Sequence, residues 1–379
     1  MLKRIVSALR PPVIFLGLDM NEQSVKLSQV EWRGAKPPRV TRFSSEPLPP
    51  GAVDEGKIIQ TDIVAKAVKK AFNRLNAKTK KAHLLIPSQQ ALVRFLNLPD
   101  LPKNKLRKAV DFELRHYVRL PFEDPLYDFV RIETDPSNSS DPTVGDVKGL
   151  GDYADESIHM PDRDTWLEAA AGLEVQPVPG HAPVPSAESV DKSAELCEVL
   201  LVAVSRAGVE PFVYAAKMAG LKPVSVEIKA LSLLRSIEHT SLAAANDTLL
   251  SVDISNTVTE ISIYSGGVLR MTRSVPVFFD GEHSDQDFSY GCSELAHELD
   301  RMISFYTYTL NHRNAQFETI VVTGDADRLD GIVDSLSRQM QQQVVKLMPG
   351  DVELGQSISA KLYPAMAGAV GAALRGNSK

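Results

Sequence analysis

Two carboxylates sit at equivalent places in two similar stretches of this chain. Leu16-Gly17-Leu18-Asp19-Met20 runs into Ser24-Val25-Lys26-Leu27, and Ser251-Val252-Asp253-Ile254 runs into Thr257-Val258-Thr259-Glu260-Ile261. Each reads as strand, aspartate, polar turn, strand. An aspartate that opens a turn caps the turn's own N–H groups, and successive turn N–H groups can instead gather an anion. Both readings stay open at this level. Other chemistries find no foothold, because there is no nucleophile–base pairing, no paired-carboxylate motif and no dinucleotide fingerprint. Cys197 and Cys292 occur without Cys-x-x-Cys spacing or a histidine cluster. That argues against a disulfide framework and a zinc site, and fits a reducing cytosol.

The hairpins need elements to hold them, and apolar periodicity supplies an α/β alternation. Strands are expected at 13–18, 24–30 and 82–86, with a helix at 62–76 whose Val64, Ala67, Ala71, Phe72 and Leu75 share one face. A second helix is expected from Lys103 to Tyr117, where Leu106, Val110, Leu114 and Val118 recur at four-residue steps, and Pro121 ends it. Further on come a buried strand from Val199 to Val204, a helix from Val209 to Ala219 closed by Gly220, a strand at 223–227 and a helix to Ile237. Strands at 248–253, 258–264 and 269–275 follow, then a helix at 293–311, a strand from Ile320 to Val322, a helix at 329–343 and a closing helix after Pro364.

A chain of 379 residues with 43% hydrophobic content exceeds one core, so two lobes are the natural expectation. No apolar run approaches a membrane span, and the chain is expected to be soluble. Pro11 and Pro12 follow the basic N-terminus at once and leave no room for a signal-peptide core, so residues 1–12 read as a tail. Residues 133–192 carry 13 acidic and 3 basic side chains with many Pro, Ser and Gly, the composition of a disordered insertion, within which 164–174 could form a helical turn. The remainder holds 35 acidic against 39 basic groups, without the concentrated basic stripe of a nucleic-acid binder.

The stretch from Leu101-Pro102-Lys103 through Ala109-Val110-Asp111-Phe112-Glu113 to Leu120-Pro121-Phe122-Glu123 and Tyr127-Asp128 resembles the inserted subdomain of the type IV pilus assembly protein PilM family. Similar in order are Leu200-Leu201-Val202-Ala203-Val204, Ala219-Gly220-Leu221-Lys222-Pro223, the run from Gly267 to Pro276, then Leu295, Glu298, Leu299, Arg301, Phe305 and Tyr306, and Ile320-Val321-Val322-Thr323-Gly324. The resemblance implies a duplicated, ribonuclease H-like actin fold related to FtsA. Its first lobe would be 13–81 with 223–248 and 349–379, its inserted α/β subdomain 82–222, and its second lobe 249–348. It also implies a cytoplasmic scaffold at the inner face of the membrane that binds the cytosolic N-terminus of a bitopic PilN-like protein, with pilus motor or platform proteins as further partners. Lys105, Lys108, Phe112 and Arg115 would be the contacting residues. The alternatives are an ATP-binding switch of the same machine and a component of a related type II secretion or MSHA-type system.

In the actin-like fold the paired hairpins are phosphate loops whose aspartates serve metal-bound phosphate. The resemblance therefore implies Asp19, Ser24, Lys26, Asp253, Ser255, Thr257 and Gly324 as the nucleotide set, with Asp19 and Asp253 toward magnesium. The loops depart from the family pattern, however. Glycine allows close backbone approach to phosphate, yet the first turn is Asn21-Glu22-Gln23, the second has Ser255 in place of glycine, and Gly324 is followed by Asp325-Ala326-Asp327. The family's glycine pair after Pro276 has become Phe278-Phe279. Glu22 alone would repel a phosphate charge by about 1–4 kcal/mol at ~4 Å before metal screening. The expectation is a degenerate site without catalysis, with magnesium ATP retained as the alternative.

Overall fold

Strand β1 (Val13–Met20) folds back on β2 (Ser24–Trp32) as an antiparallel hairpin that sets Asp19 opposite Lys26. Asn21 makes the reversal possible, since its carboxamide oxygen accepts from the N–H groups of Gln23 and Ser24 at 3.0 and 2.8 Å, the local bond expected of a turn asparagine. This computed structural model describes residues 12–132 and 196–376, apart from 35, 243–247, 278, 280–283, 311 and 314. The tail, the acidic insertion with its 164–174 turn, and Phe278 lie outside the described residues.

The first lobe's sheet has the order β10 (Lys222–Ile228), β6 (Lys81–Ile86), β1, β2, β3 (Arg39–Pro47), β16 (Glu353–Leu354), with the short β4 (Val53–Asp54) and β5 (Lys57–Ile58) paired apart from it. The second has β13 (Val268–Val275), β12 (Thr259–Ser265), β11 (Thr248–Ile254), β14 (Phe317–Gly324), β15 (Gln343–Lys346). In both, three antiparallel strands are extended by parallel strands alongside the first. This is the duplicated two-lobed arrangement expected from the two hairpins.

Helices cover the sheets. Helix α1 (Thr61–Leu75) buries Val64, Val68, Ala71 and Leu75 over the first lobe. Helix α4 (Lys229–Glu238) leaves β10 directly and packs on the C-terminal helix, here α7 (Tyr363–Leu374), which is buried on all sides. Small residues let α7 close in, because a Cβ on Gly17 would lie 1.8 Å from the Ala369 carbonyl oxygen.

The inserted subdomain is a three-stranded antiparallel sheet, β7 (Ala91–Pro99), β9 (Leu196–Ser205), β8 (Pro125–Ile132), with α2 (Lys103–His116) across one face. Strand β9 alternates: Cys197, Val199 and Leu201 meet Leu106, Val110 and Leu114 of α2, while Leu200, Val202 and Val204 join the first lobe's core.

Several boundaries differ from the sequence reading. Strand 81–86 sits between β1 and β10 in the first lobe, not in the insertion, and α3 (Arg206–Met218) packs on α1, so the inserted unit is narrower than 82–222. The helix expected at 293–311 is α5 (Asp285–Ser304), started by a capping box between Ser284 and Asp287 and ended by a π-helical turn, Phe305–Thr309. Helix α6 (Leu329–Gln339) stops short of 343 because Val344 and Val345 join β15 beside β14.

Candidate functional site

Strands β1 and β11 end side by side where the lobes meet, which brings Asp19 and Asp253 to one cleft. The cleft already holds a cation. Lys229, the first residue of α4, places Nζ 2.9 Å from Asp253 Oδ2 and 3.3 Å from Asp19 Oδ2, and Thr323 donates to the other Asp253 oxygen at 2.8 Å. Burial alone would lower the lysine's pKa, but the charges of Asp19, Asp253 and Glu260 outweigh it and hold the ammonium well above the ordinary lysine value. Burial likewise pushes Asp253 up, and Lys229 reverses this, leaving the carboxylate below its usual range.

The two hairpins reach across the cleft reciprocally. Lys26, opposite Asp19 on β2, pairs at 2.7 Å with Asp325, the residue after β14 of the second lobe. Glu260, opposite Asp253 on β12, accepts from the Ser88 hydroxyl at 2.6 Å and its N–H at 3.2 Å, just past β6 of the first lobe. Ser88 Oγ in turn accepts from the N–H of Ala230, beside Lys229, at 3.0 Å. Burial pushes Glu260 up to about 7.

Several turn N–H groups have partners within their own turns. Asn21 takes those of Gln23 and Ser24. Ser255 Oγ accepts from the N–H of Val258 at 3.1 Å and donates to its carbonyl at 2.8 Å, while the Ser255 N–H donates to the same carbonyl at 3.0 Å. The Glu22 carboxylate accepts from the N–H of Gly56 at 2.9 Å. Asp19, Glu22, Asp253 and Glu260 all line the pocket, with Lys229 between them.

Of the remaining expected residues, Ser24 is buried with no hydrogen-bond partner for its hydroxyl, and Thr257 is exposed at the tip of its turn. Gly324 has φ +113°, and a Cβ there would lie 2.0 Å from the Ile254 carbonyl oxygen, so strand packing already requires this glycine. Phe279 fills the second lobe's core. Lys229 was missed by sequence reasoning. One signal was available: a lysine at the first position of a helix, where the helix dipole disfavours a cation.

A second surface lies on α2. Lys105, Lys108, Phe112 and Arg115 share its outward side, opposite Leu106, Val110 and Leu114. Phe112 is 53% exposed and Tyr117 69%, with the His116 ring 4.5 Å from that of Phe112.

Two lobes with matching sheet order, joined at paired aspartate hairpins, define a protein of the actin-like ATPase fold. The resemblance to the PilM family holds: the family model for the type IV pilus assembly protein PilM matches residues 17–147. Among solved structures, a PilM-PilN type IV pilus biogenesis complex is similar with a TM-score of 0.70 at 19% identity, covering 97% of this chain and 100% of that one. The ethanolamine utilization protein EutJ from Carboxydothermus hydrogenoformans reaches 0.47 at 12% identity (97% and 92% covered). The cytoplasmic domain of EpsL, of the Vibrio cholerae type II secretion system, reaches 0.41 at 9% (95% and 94%). Scores this low for the last two carry no functional argument.

The fold class implies magnesium nucleotide in the cleft, and the residues present do not fit it. An ammonium stands between the two aspartates, the N–H groups of Gln23, Ser24, Ser255 and Val258 bond within their own turns, and four carboxylates line the pocket. Among the described residues, no group of three or more His, Cys, Asp or Glu side chains is placed to hold a metal ion.

Proposed function

We propose that this chain is a cytoplasmic scaffold of a type IV pilus inner-membrane assembly platform, binding the cytosolic N-terminal peptide of a PilN-like protein, with its nucleotide cleft degenerate. The single observation that carries the partner is the 0.70 likeness over nearly the whole chain to a protein solved in a PilM-PilN complex. Among the described residues no helix is long and apolar enough to cross a membrane, so a membrane-facing role would run through such a partner.

The α2 face supports the docking site. Its exposed aromatic ring among basic side chains suits a peptide carrying both acidic and apolar residues. Titration of the N-terminal peptide of a PilN-like protein into the purified chain tests the reading. Binding is expected, and Phe112→Ala is expected to weaken it roughly thirtyfold, the size of a hot-spot truncation. No binding up to millimolar peptide would overturn the reading.

The same reading makes magnesium ATP neither substrate nor obligatory cofactor. The alternative of an ATP-driven switch would be favoured by saturable binding that Asp253→Ala abolishes.

A further inference from the structure

We propose that the Lys229 ammonium is the built-in cation of the cleft, taking the place between the two loop aspartates that a metal-bound phosphate would need and holding the lobes together without any ligand. This deepens the reading of a degenerate site and rests on it.

Three observations converge. The lysine side chain is only 12% exposed and contacts a carboxylate from each lobe, at 2.9 Å on Asp253 and 3.3 Å on Asp19. It is placed by backbone rather than by a long flexible reach, since it opens α4 directly after β10, and the next residue, Ala230, donates to Ser88 and accepts from Tyr264 Oη at 2.7 Å across the cleft. Finally, the C-terminal helix bounds one side of the ion pair: a Cβ on Gly368 of α7 would meet Asp19 Oδ2 at 3.2 Å and Lys229 Cε at 3.5 Å. The glycine there makes room for the ion pair.

The charge balance follows. Two facing aspartates without a counter-charge repel each other across the seam and weaken the junction of the lobes, and a cation between them removes that repulsion. In this chain the cation is covalently attached, and lobe closure carries no dependence on a ligand.

The test compares thermal midpoints of the full chain and of Lys229→Ala in EDTA, in magnesium chloride and in magnesium ATP. The wild-type midpoint is expected to be the same in all three. The variant is expected to melt lower in EDTA and to regain part of the loss with magnesium alone, because the vacated site leaves two carboxylates free for a divalent ion.

A variant that melts like the wild type in EDTA would overturn the proposal, as would one that melts lower without responding to magnesium, which would make Lys229 an ordinary buried pair. A wild-type midpoint raised by magnesium ATP through Asp253 would also overturn it. If the variant does not fold, the neutral triple change Asp19→Asn, Lys229→Met, Asp253→Asn is expected to fold and to be indifferent to magnesium; failure of that protein to fold counts against the charge argument. Peptide binding measured on the same samples keeps the partner question apart, since its loss would sink the scaffold reading and leave the cleft result standing.

Discussion

Lys229, 12% exposed, and the buried Glu260 show how strongly single charges with little solvent are constrained here. Removing one partner of a buried ion pair typically destabilises by about 3–5 kcal/mol, and Lys229→Ala is expected to lose that much in urea titrations without metal. Glu260 gives a pH effect. Its folded-state pKa, about 7, lies above the ordinary value of 4.5, so the unfolded chain binds fewer protons between those values and stability falls as pH rises through that window, then levels off. Lys229 and Asp253 face the same group and act on it with opposite signs. Glu260→Gln should flatten the slope between about pH 4.5 and 7, and identical slopes for the two proteins would refute the assignment. Asp19 and Asp253 were legible in the sequence because a repeated pattern marks them. Lys229 was not, because it arrives from a segment without a motif and its role exists only once β10 sits beside β6, one strand from β1.

At the scale of elements, periodicity read the helices well where one face is apolar. Leu106, Val110 and Leu114 placed α2, and Val64, Ala67, Ala71 and Leu75 placed α1. Strands β3, β7 and β8 were not read, since residues such as Arg39-Val40-Thr41-Arg42 mix charge with half-burial on a sheet that only the fold assembles. The start of α5 was missed for a related reason: its first turn is acidic and exposed, and the cap between Ser284 and Asp287 defines it instead of an apolar stripe. Gly324 illustrates a residue given one expected role and seen in another. Gly324→Ala is expected to destabilise by at least about 1–3 kcal/mol, from positive φ and from contact with Ile254, and an unchanged denaturation midpoint would refute that.

For the molecule as a whole, the duplication was legible from two short hairpins, whereas the sealing of the cleft was not, because it depends on contacts between halves far apart in sequence. The C-terminal helix is central to that sealing. Met366, Ala369, Val370, Ala372 and Ala373 are fully buried, so ending the chain before Tyr363 is expected to abolish cooperative melting; a retained sharp transition would show that α7 is dispensable. The reciprocal bridges, Lys26 to Asp325 and Ser88 to Glu260, join corresponding positions of the two halves. That is the contact pattern of a twofold homodimer, in which one patch meets its own copy and every contact occurs twice. With both copies in one polypeptide, the symmetry no longer binds them to match. One is an ion pair with Lys26 only 4% exposed, little screened by salt, and the other a hydroxyl on a carboxyl group of raised pKa, so the two seams answer differently to proton concentration, which acts on the second.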